Sequence, residues 1–179
     1  MPPFRDGASE LPTSPPEAYE KKAGPAMQPS LLLVDDDSGL RLLLNRALTM
    51  QGYQFYEASD GIVGLAQFHA LQPDLILLDI TMPRLDGFAV LKEIRQHDPV
   101  VGIIMISALS SNQCKTKAVL GGADGYLHKP PRLQEVFSEV ARVNTLVRLR
   151  RDSHTCQQER MKLNPLAPDR HTAVHEHHS

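Results

Sequence analysis

At 179 residues the chain has room for one ordinary domain with some extra length, and 41% hydrophobic residues suffice for a core. A formal net charge of -2 at pH 7 argues against a dedicated nucleic-acid binder, which would carry a basic domain. Two cysteines (Cys114 and Cys156) without a pairing motif, no signal peptide and no apolar run near bilayer length point to a soluble protein of a reducing cytoplasm.

In chain order, residues 1–29 read as a disordered extension, because seven prolines interrupt it and no hydrophobic period runs through it. Leu31 to Val34 is an apolar run too short for a helix, ending in Asp35-Asp36-Asp37, and reads as a buried parallel strand. Asp37 or Ser38 then caps a helix with Leu40, Leu43, Leu44, Ala47 and Leu48 on its inner face, closed by Gly52. Gln54 to Ala58 is a weaker, half-polar strand. Ser59 or Asp60 opens a second helix with Ile62, Leu65 and Ala66 inward, stopped by Pro73.

Leu75 to Asp79 is a strand leading into a Thr81-Met82-Pro83 loop, after which Asp86 caps a helix to about Gln96 that buries Phe88, Leu91 and Ile94. Val100 to Ile106 is a strand ending at Ser107. A fourth helix, Asn112 to Leu120, has a thin stripe of Cys114, Ala118 and Val119 and stops at Gly121-Gly122. Tyr126-Leu127-His128-Lys129-Pro130 is the last strand end. The final helix starts near Pro131 with Leu133, Val136, Phe137, Val140, Val143 and Val147 inward. Residues 30–150 therefore form the compact unit, with the last helix reaching to about residue 162. Beyond Val147 the pattern fails, so Arg148, Arg150 and Arg151 read as a solvated helix end. Residues 163–179 read as a disordered tail whose His171, His175, His177 and His178 are solvated rather than metal-binding.

Five strands alternating with five helices imply an α/β fold with a doubly wound parallel sheet. In such a sheet the carboxyl ends of the strands make the ligand crevice. That brings Asp35, Asp36, Asp79, Ser107 and Lys129 around one small pocket. Carboxylates that close raise one another's pKa, and a hard divalent cation such as Mg²⁺ resolves the conflict with oxygen ligands. A cation, a lysine and a hydroxyl around one carboxylate are what phosphoryl transfer needs, since positioning and charge neutralisation dominate it. Taken singly, each residue has a plainer explanation. The three acids suit a helix N-terminus, Asp79 suits a loop cap, and Lys129 suits the surface.

The ordered set Val34-Asp35-Asp36-Asp37, Leu78-Asp79-Ile80-Thr81-Met82-Pro83, Asp86-Gly87, Ser107-Ala108 and Lys129-Pro130 resembles the receiver domain of two-component response regulators, from about Leu31 to Val147. The resemblance implies a flavodoxin-like five-stranded sheet of order 2-1-3-4-5 with helices on both faces. It implies that Asp79 is the nucleophile, phosphorylated from a phosphohistidine on a histidine kinase or a histidine phosphotransfer protein. Asp36 would then ligate Mg²⁺ directly, Asp35 through a water, and Thr81 through its backbone carbonyl. Ser107 and Lys129 would bind the phosphoryl group, Tyr126 would be the aromatic switch, and the Lys129-Pro130 bond would often be cis. Pro131 departs from the family, which usually places an aromatic there.

A stand-alone switch acting on a downstream partner protein is the reading expected from the short polar stretch after the last helix. A receiver from a DNA-binding regulator is its nearest variant. A Mg²⁺-dependent aspartyl-phosphate phosphatase is the competing enzyme class, but it would carry a second acid where this chain has Thr81. A nucleotide-binding module would need a glycine-rich loop where the three acids stand. Val140, Val143 and Val147 offer a short homodimer seam on the last helix. No membrane contact is expected.

Overall fold

The structure, a computed structural model, describes residues 28–109 and 111–163. The expected N-terminal extension up to residue 27 and the histidine-rich tail from residue 164 lie outside the described residues. Ten elements alternate: β1 (Ser30–Val34), α1 (Ser38–Met50), β2 (Gln54–Ala58), α2 (Gly61–Leu71), β3 (Leu75–Asp79), α3 (Gly87–His97), β4 (Gly102–Ser107), α4 (Asn112–Leu120), β5 (Gly125–His128) and α5 (Leu133–Leu163). The strands pair in parallel in the order β2-β1-β3-β4-β5, which is the expected doubly wound sheet.

Strand alternation sorts the apolar residues into two cores. Leu31, Leu33, Leu75, Leu77, Ile104 and Ile106 face α1 and α5. Leu32, Val34, Ile76, Leu78, Ile103 and Met105 face α2, α3 and α4. Every residue of β3 and β4 is buried, so these strands read as unbroken apolar runs. Side-chain caps set the helix starts. Asp37 accepts from Gly39 N (2.8 Å) and Leu40 N (3.1 Å), and Asp60 from Ile62 N (2.9 Å) and Val63 N (3.0 Å). Asp86 accepts from Ala89 N at 2.8 Å.

Several inner faces differ from expectation. On α1, Leu44 and Leu48 are buried but Leu43 is half exposed. On α2, Ile62 and Ala66 point outward, and the buried residues are Gly61, Gly64 and Phe68. A Cβ on Gly64 would stand 2.7 Å from Val34 Cγ1, so α2 lies backbone-close on β1 and its contact stripe lacks large side chains. Val90 joins Leu91 and Ile94 in the core, while Phe88 is only half buried. β4 begins at Gly102 rather than Val100, because Asp98 Oδ1 holds the amides of Val100 (2.6 Å) and Val101 (2.9 Å) in a turn. On α4 only Ala118 is buried, and Val119 is exposed.

On α5, Val136, Val140, Val143 and Val147 all pack on the sheet, which rules out the seam of Val140, Val143 and Val147 for a dimer. Nor is the end of the compact unit simply solvated: Arg150 pairs with Asp124 and Arg151 with Asp74. Periodicity treats arginines as solvent-facing and could not show these partners. Among the described residues no helix is long and apolar enough to cross a membrane.

Candidate functional site at the carboxyl ends of the strands

Asp35 directly follows β1, Asp79 ends β3, Ser107 ends β4 and Lys129 directly follows β5. Parallel register brings these ends level, with Val34 beside Leu78, Asp79 beside Ile106 and Ser107 beside His128. Carboxylate oxygens of Asp35, Asp36 and Asp79 lie within 4.8 Å of one another. Asp35 and Asp79 are buried and Asp36 is exposed.

Lys129 Nζ sits 2.7 Å from Asp79 Oδ2 and 2.8 Å from Asp35 Oδ2. Only the first of these contacts has hydrogen-bond geometry, which leaves the buried Asp35 Oδ2 without a hydrogen-bond partner. Asp35 Oδ1 accepts from Asp37 N at 2.9 Å, and Asp79 Oδ1 accepts from Thr81 N at 3.2 Å. Burial pushes the Asp35 carboxyl above its ordinary pKa, with the neighbouring Asp79 adding to the effect, and Lys129 and the Asp37 amide oppose it only in part. For Lys129 burial acts downward, but its contacts with Asp35 and Asp79 outweigh burial and hold the ammonium above its ordinary value.

Ser107 is fully buried, and its Oγ accepts from Leu109 N at 3.0 Å. Tyr126 donates its hydroxyl to Leu109 O at 2.7 Å. Ser107 and Tyr126 therefore meet on the backbone of one residue in the β4–α4 loop rather than on each other. The Lys129-Pro130 peptide bond is cis, and Lys129 N donates to Ser107 O at 2.8 Å. Thr81 is exposed and meets the site through its backbone amide.

Three further residues shape the site without having been singled out for it. Gly87 lets α3 approach the end of β3, since a Cβ there would overlap the Asp79 carbonyl oxygen. Arg84, in the left-handed region at φ 70°, pairs with the buried Asp60 and ties the β3–α3 loop to the start of α2. Leu109 carries both loop hydrogen bonds. Only Gly87 had a signal, its place after Asp86 in the motif; a backbone relay and a pair 24 residues apart leave no periodic trace.

The donor set suits a hard divalent cation. It offers carboxylate oxygens only, gathered on one side, with one buried oxygen lacking a hydrogen-bond partner. Among the described residues the cation near this oxygen is Lys129, and it is shared with Asp79, so two buried carboxylates rest on one ammonium.

Residues 31–141 match the response regulator receiver domain family. The chain is 39% identical over 122 residues to the DNA-binding dual master transcriptional regulator RpaA of Synechocystis, covering 67% of this chain and 49% of that protein. It is 39% identical over 141 residues to the transcriptional regulatory protein PrrA of Mycobacterium tuberculosis, covering 79% of this chain and 59% of that one. The chain thus spans between half and three-fifths of the length of these relatives. Among solved structures, the chemotaxis protein CheY4 of Vibrio cholerae superimposes with a TM-score of 0.62 at 29% identity, covering 65% of this chain and 98% of that one. With its strand order, its level strand ends and these matches together, the chain belongs to the response regulator receiver domain family.

Proposed function

We propose that the protein is a phosphorylation switch in a two-component phosphorelay, with Asp79 as acceptor. A carboxylate oxygen of Asp79 attacks the phosphorus of a phosphohistidine on a histidine kinase or histidine phosphotransfer protein. The P–N bond breaks with its electron pair returning to the ring nitrogen, and an acyl phosphate forms on Asp79. The phosphohistidine's other ring nitrogen already carries the proton that lets the ring leave as neutral imidazole. The observation that carries this reading is the buried Asp79 carboxylate, flanked by Asp35 and paired with Lys129 at 2.7 Å.

Asp36 and Asp35 would hold Mg²⁺, with the Thr81 carbonyl as a further ligand; when bound it supplies charge neutralisation at the phosphoryl oxygens. Lys129 would move its ammonium from the carboxylates to the phosphoryl group, and Ser107, whose Oγ only accepts from Leu109 N here, would donate its free hydroxyl proton there. Turning the Ser107 side chain toward the phosphoryl group would pull on Leu109 N, and through the same residue on the carbonyl that holds Tyr126. Shifting a two-state balance from mostly off to mostly on takes roughly 5 kcal/mol. Charge-assisted hydrogen bonds contribute about 1.5–3 kcal/mol each; the Ser107 bond is new, while the Lys129 bond replaces the one it makes to Asp79, so together they supply part of that shift.

Turnover is not the task of such a site. Thr81 stands where a phosphatase would carry its second acid, so the phosphorylated form persists long enough to signal. The two free cysteines suit a cytoplasmic setting. A second reading has a specific support: RpaA and PrrA are transcriptional regulators of which the chain matches 49% and 59%. On that reading the receiver governs a DNA-binding domain instead of a separate partner protein. Any homodimer through α5 must use residues other than the four buried valines.

The test is incubation with Mg²⁺ and a small-molecule phosphodonor, followed by intact-mass and peptide mapping. One phosphoryl group on Asp79, acid-labile and lost in Asp79→Asn, is expected. Label elsewhere, or undiminished label in Asp79→Asn, would overturn the assignment. In Ser107→Ala, phosphorylation without a change in the Tyr126 ring environment is expected; full switching there would remove Ser107 from the mechanism.

A further inference from the structure

Helix α4 is poorly seated. Of its nine residues only Ala118 is buried, while Val119 and Leu120 are 60% and 83% exposed. Between α4 and α3 lies a cleft of about 500 Å³, floored by Phe88 and Leu91 and walled by Leu120. A second hollow of about 440 Å³ lies along α4 with Asn112, Gln113 and Thr116, and shares Lys117 and Leu120 with the first. Together they make a trough with Leu120 standing on the ridge between its two halves.

The trough's charge is one-sided. Its lining includes Lys92, Arg95 and Lys117 and no acidic residue. Arg95 is already engaged, donating to Gly122 O (2.8 Å), Val101 O (2.7 Å) and Asp124 Oδ2 (2.8 Å). Lys92 is exposed and has no ion-pair partner among the described residues. Lys117 holds its ammonium 4.0 Å from the centre of the Phe88 ring, the position of a cation that has found a π face but no carboxylate. An apolar floor beneath two uncommitted lysines fits one kind of occupant best: an amphipathic helical segment with apolar anchors on one face and Asp or Glu beside them.

We propose that the α3–α4 trough is a docking site for an acidic amphipathic segment of a partner protein. Phe88 and Leu120 receive its apolar side chains over the buried Leu91, and Lys92 and Lys117 pair with its carboxylates. A lipid surface of the same charge fits less well, because Phe88 and Leu91 lie in a concavity that a flat bilayer does not enter. The trough is joined to the strand-end site through the β4–α4 loop, where Leu109 N donates to Ser107 Oγ and Leu109 O accepts from Tyr126.

The test titrates the full-length, unphosphorylated protein into a fluorescein-labelled 18-residue helical peptide with leucines at i, i+3, i+4 and i+7 and glutamates elsewhere. The control peptide carries lysine in place of glutamate. Saturable binding of the acidic peptide alone is expected, weakened roughly tenfold or more by Leu120→Ser and by Lys92→Glu. Both substitutions change exposed side chains, and unchanged thermal unfolding of each variant verifies the fold. Equal binding of the basic peptide, or affinity untouched by both variants, would overturn the proposal. So would Leu120-dependent adsorption to phosphatidylglycerol vesicles without peptide binding, which assigns the trough to membranes. Self-association abolished by Leu120→Ser, again without peptide binding, would assign it to a second copy. Because no phosphoryl group is present, failure here leaves phosphorylation of Asp79 standing.

Discussion

Among the described residues Lys129 is the only cation against the two buried carboxylates, at 2.7 and 2.8 Å, so the site without a metal depends on one ammonium. Removing it leaves Asp35 and Asp79 facing each other uncompensated, a change that costs several kcal/mol when a pair is fully buried. The Lys129 side chain is 18% exposed, which lowers the expectation to about 2 kcal/mol. Lys129→Met should therefore lower the urea midpoint without Mg²⁺, and saturating Mg²⁺ should restore most of the loss by taking over the neutralisation. An equal deficit with and without Mg²⁺ would mean that Lys129 stabilises by packing its stem. Arg84 offers a second residue-scale test, because it holds a left-handed φ of 70° while paired to Asp60. The left-handed conformation costs a side chain about 1 kcal/mol, and a half-exposed ion pair returns about 0.2–1 kcal/mol. Arg84→Ala keeps the strain and loses the pair, whereas Arg84→Gly loses both. Chemical denaturation should find the glycine variant the more stable by about 1 kcal/mol, and the reverse order would show that the φ value carries no strain.

Among the elements, α5 contains two helices' worth of different physics. As far as Val147 it is an amphipathic helix on the sheet, and from Arg148 to Cys156 no residue joins the apolar core. Isolated helices of that length are marginal in water, so the two pairs Arg150–Asp124 and Arg151–Asp74 act as its anchors. With both arginines changed to alanine, amide exchange from Leu149 to Cys156 should quicken while β3 and β4 amides keep their protection. Unchanged exchange would mean that the helix holds itself by its own propensity. These elements also show where the sequence is informative. The strands were legible because β3 and β4 are buried on both faces and each ends in a polar residue whose chemistry is visible in one letter. The acidic triad and Lys129 were legible for the same reason. The inner face of α2 was not, because Gly61 and Gly64 make their contact by having no side chain, which a hydrophobic period cannot register. The α5 anchors were not, because Arg151 and Asp74 are 77 residues apart and charged residues are read as solvent-facing by default.

At the scale of the whole molecule, the response to acid separates the strand-end site from the scaffold that carries it. In the scaffold, backbone amides of Leu40 and Gly39 hold Asp37 below the ordinary carboxylate range, those of Val63 and Ile62 do the same for Asp60, and Arg142 does so for Glu139. A depressed folded pKa contributes stability that is present above the unfolded value of about 4 and is lost as pH falls through the folded value. Asp35 has the opposite sign. Burial raises its folded pKa, so without a metal the folded state takes up a proton first, and stability is gained as pH falls through that raised value toward 4. The metal-free protein should therefore hold or gain stability on mild acidification before the scaffold carboxylates bring it down. On the proposed ligand set, Mg²⁺ would need Asp35 and its neighbours as carboxylates, so its stabilisation, about 1.4 kcal/mol for each tenfold of concentration above Kd, should shrink over the same interval. Urea midpoints measured across this range with and without Mg²⁺ should converge from neutral pH downward. In Asp35→Asn the early gain should vanish and the Mg²⁺ effect should fall with it, while the later acid loss stays where it was. If the early gain survives Asp35→Asn, some other buried carboxyl takes up the proton, and the metal and the proton do not compete for the group at the end of β1.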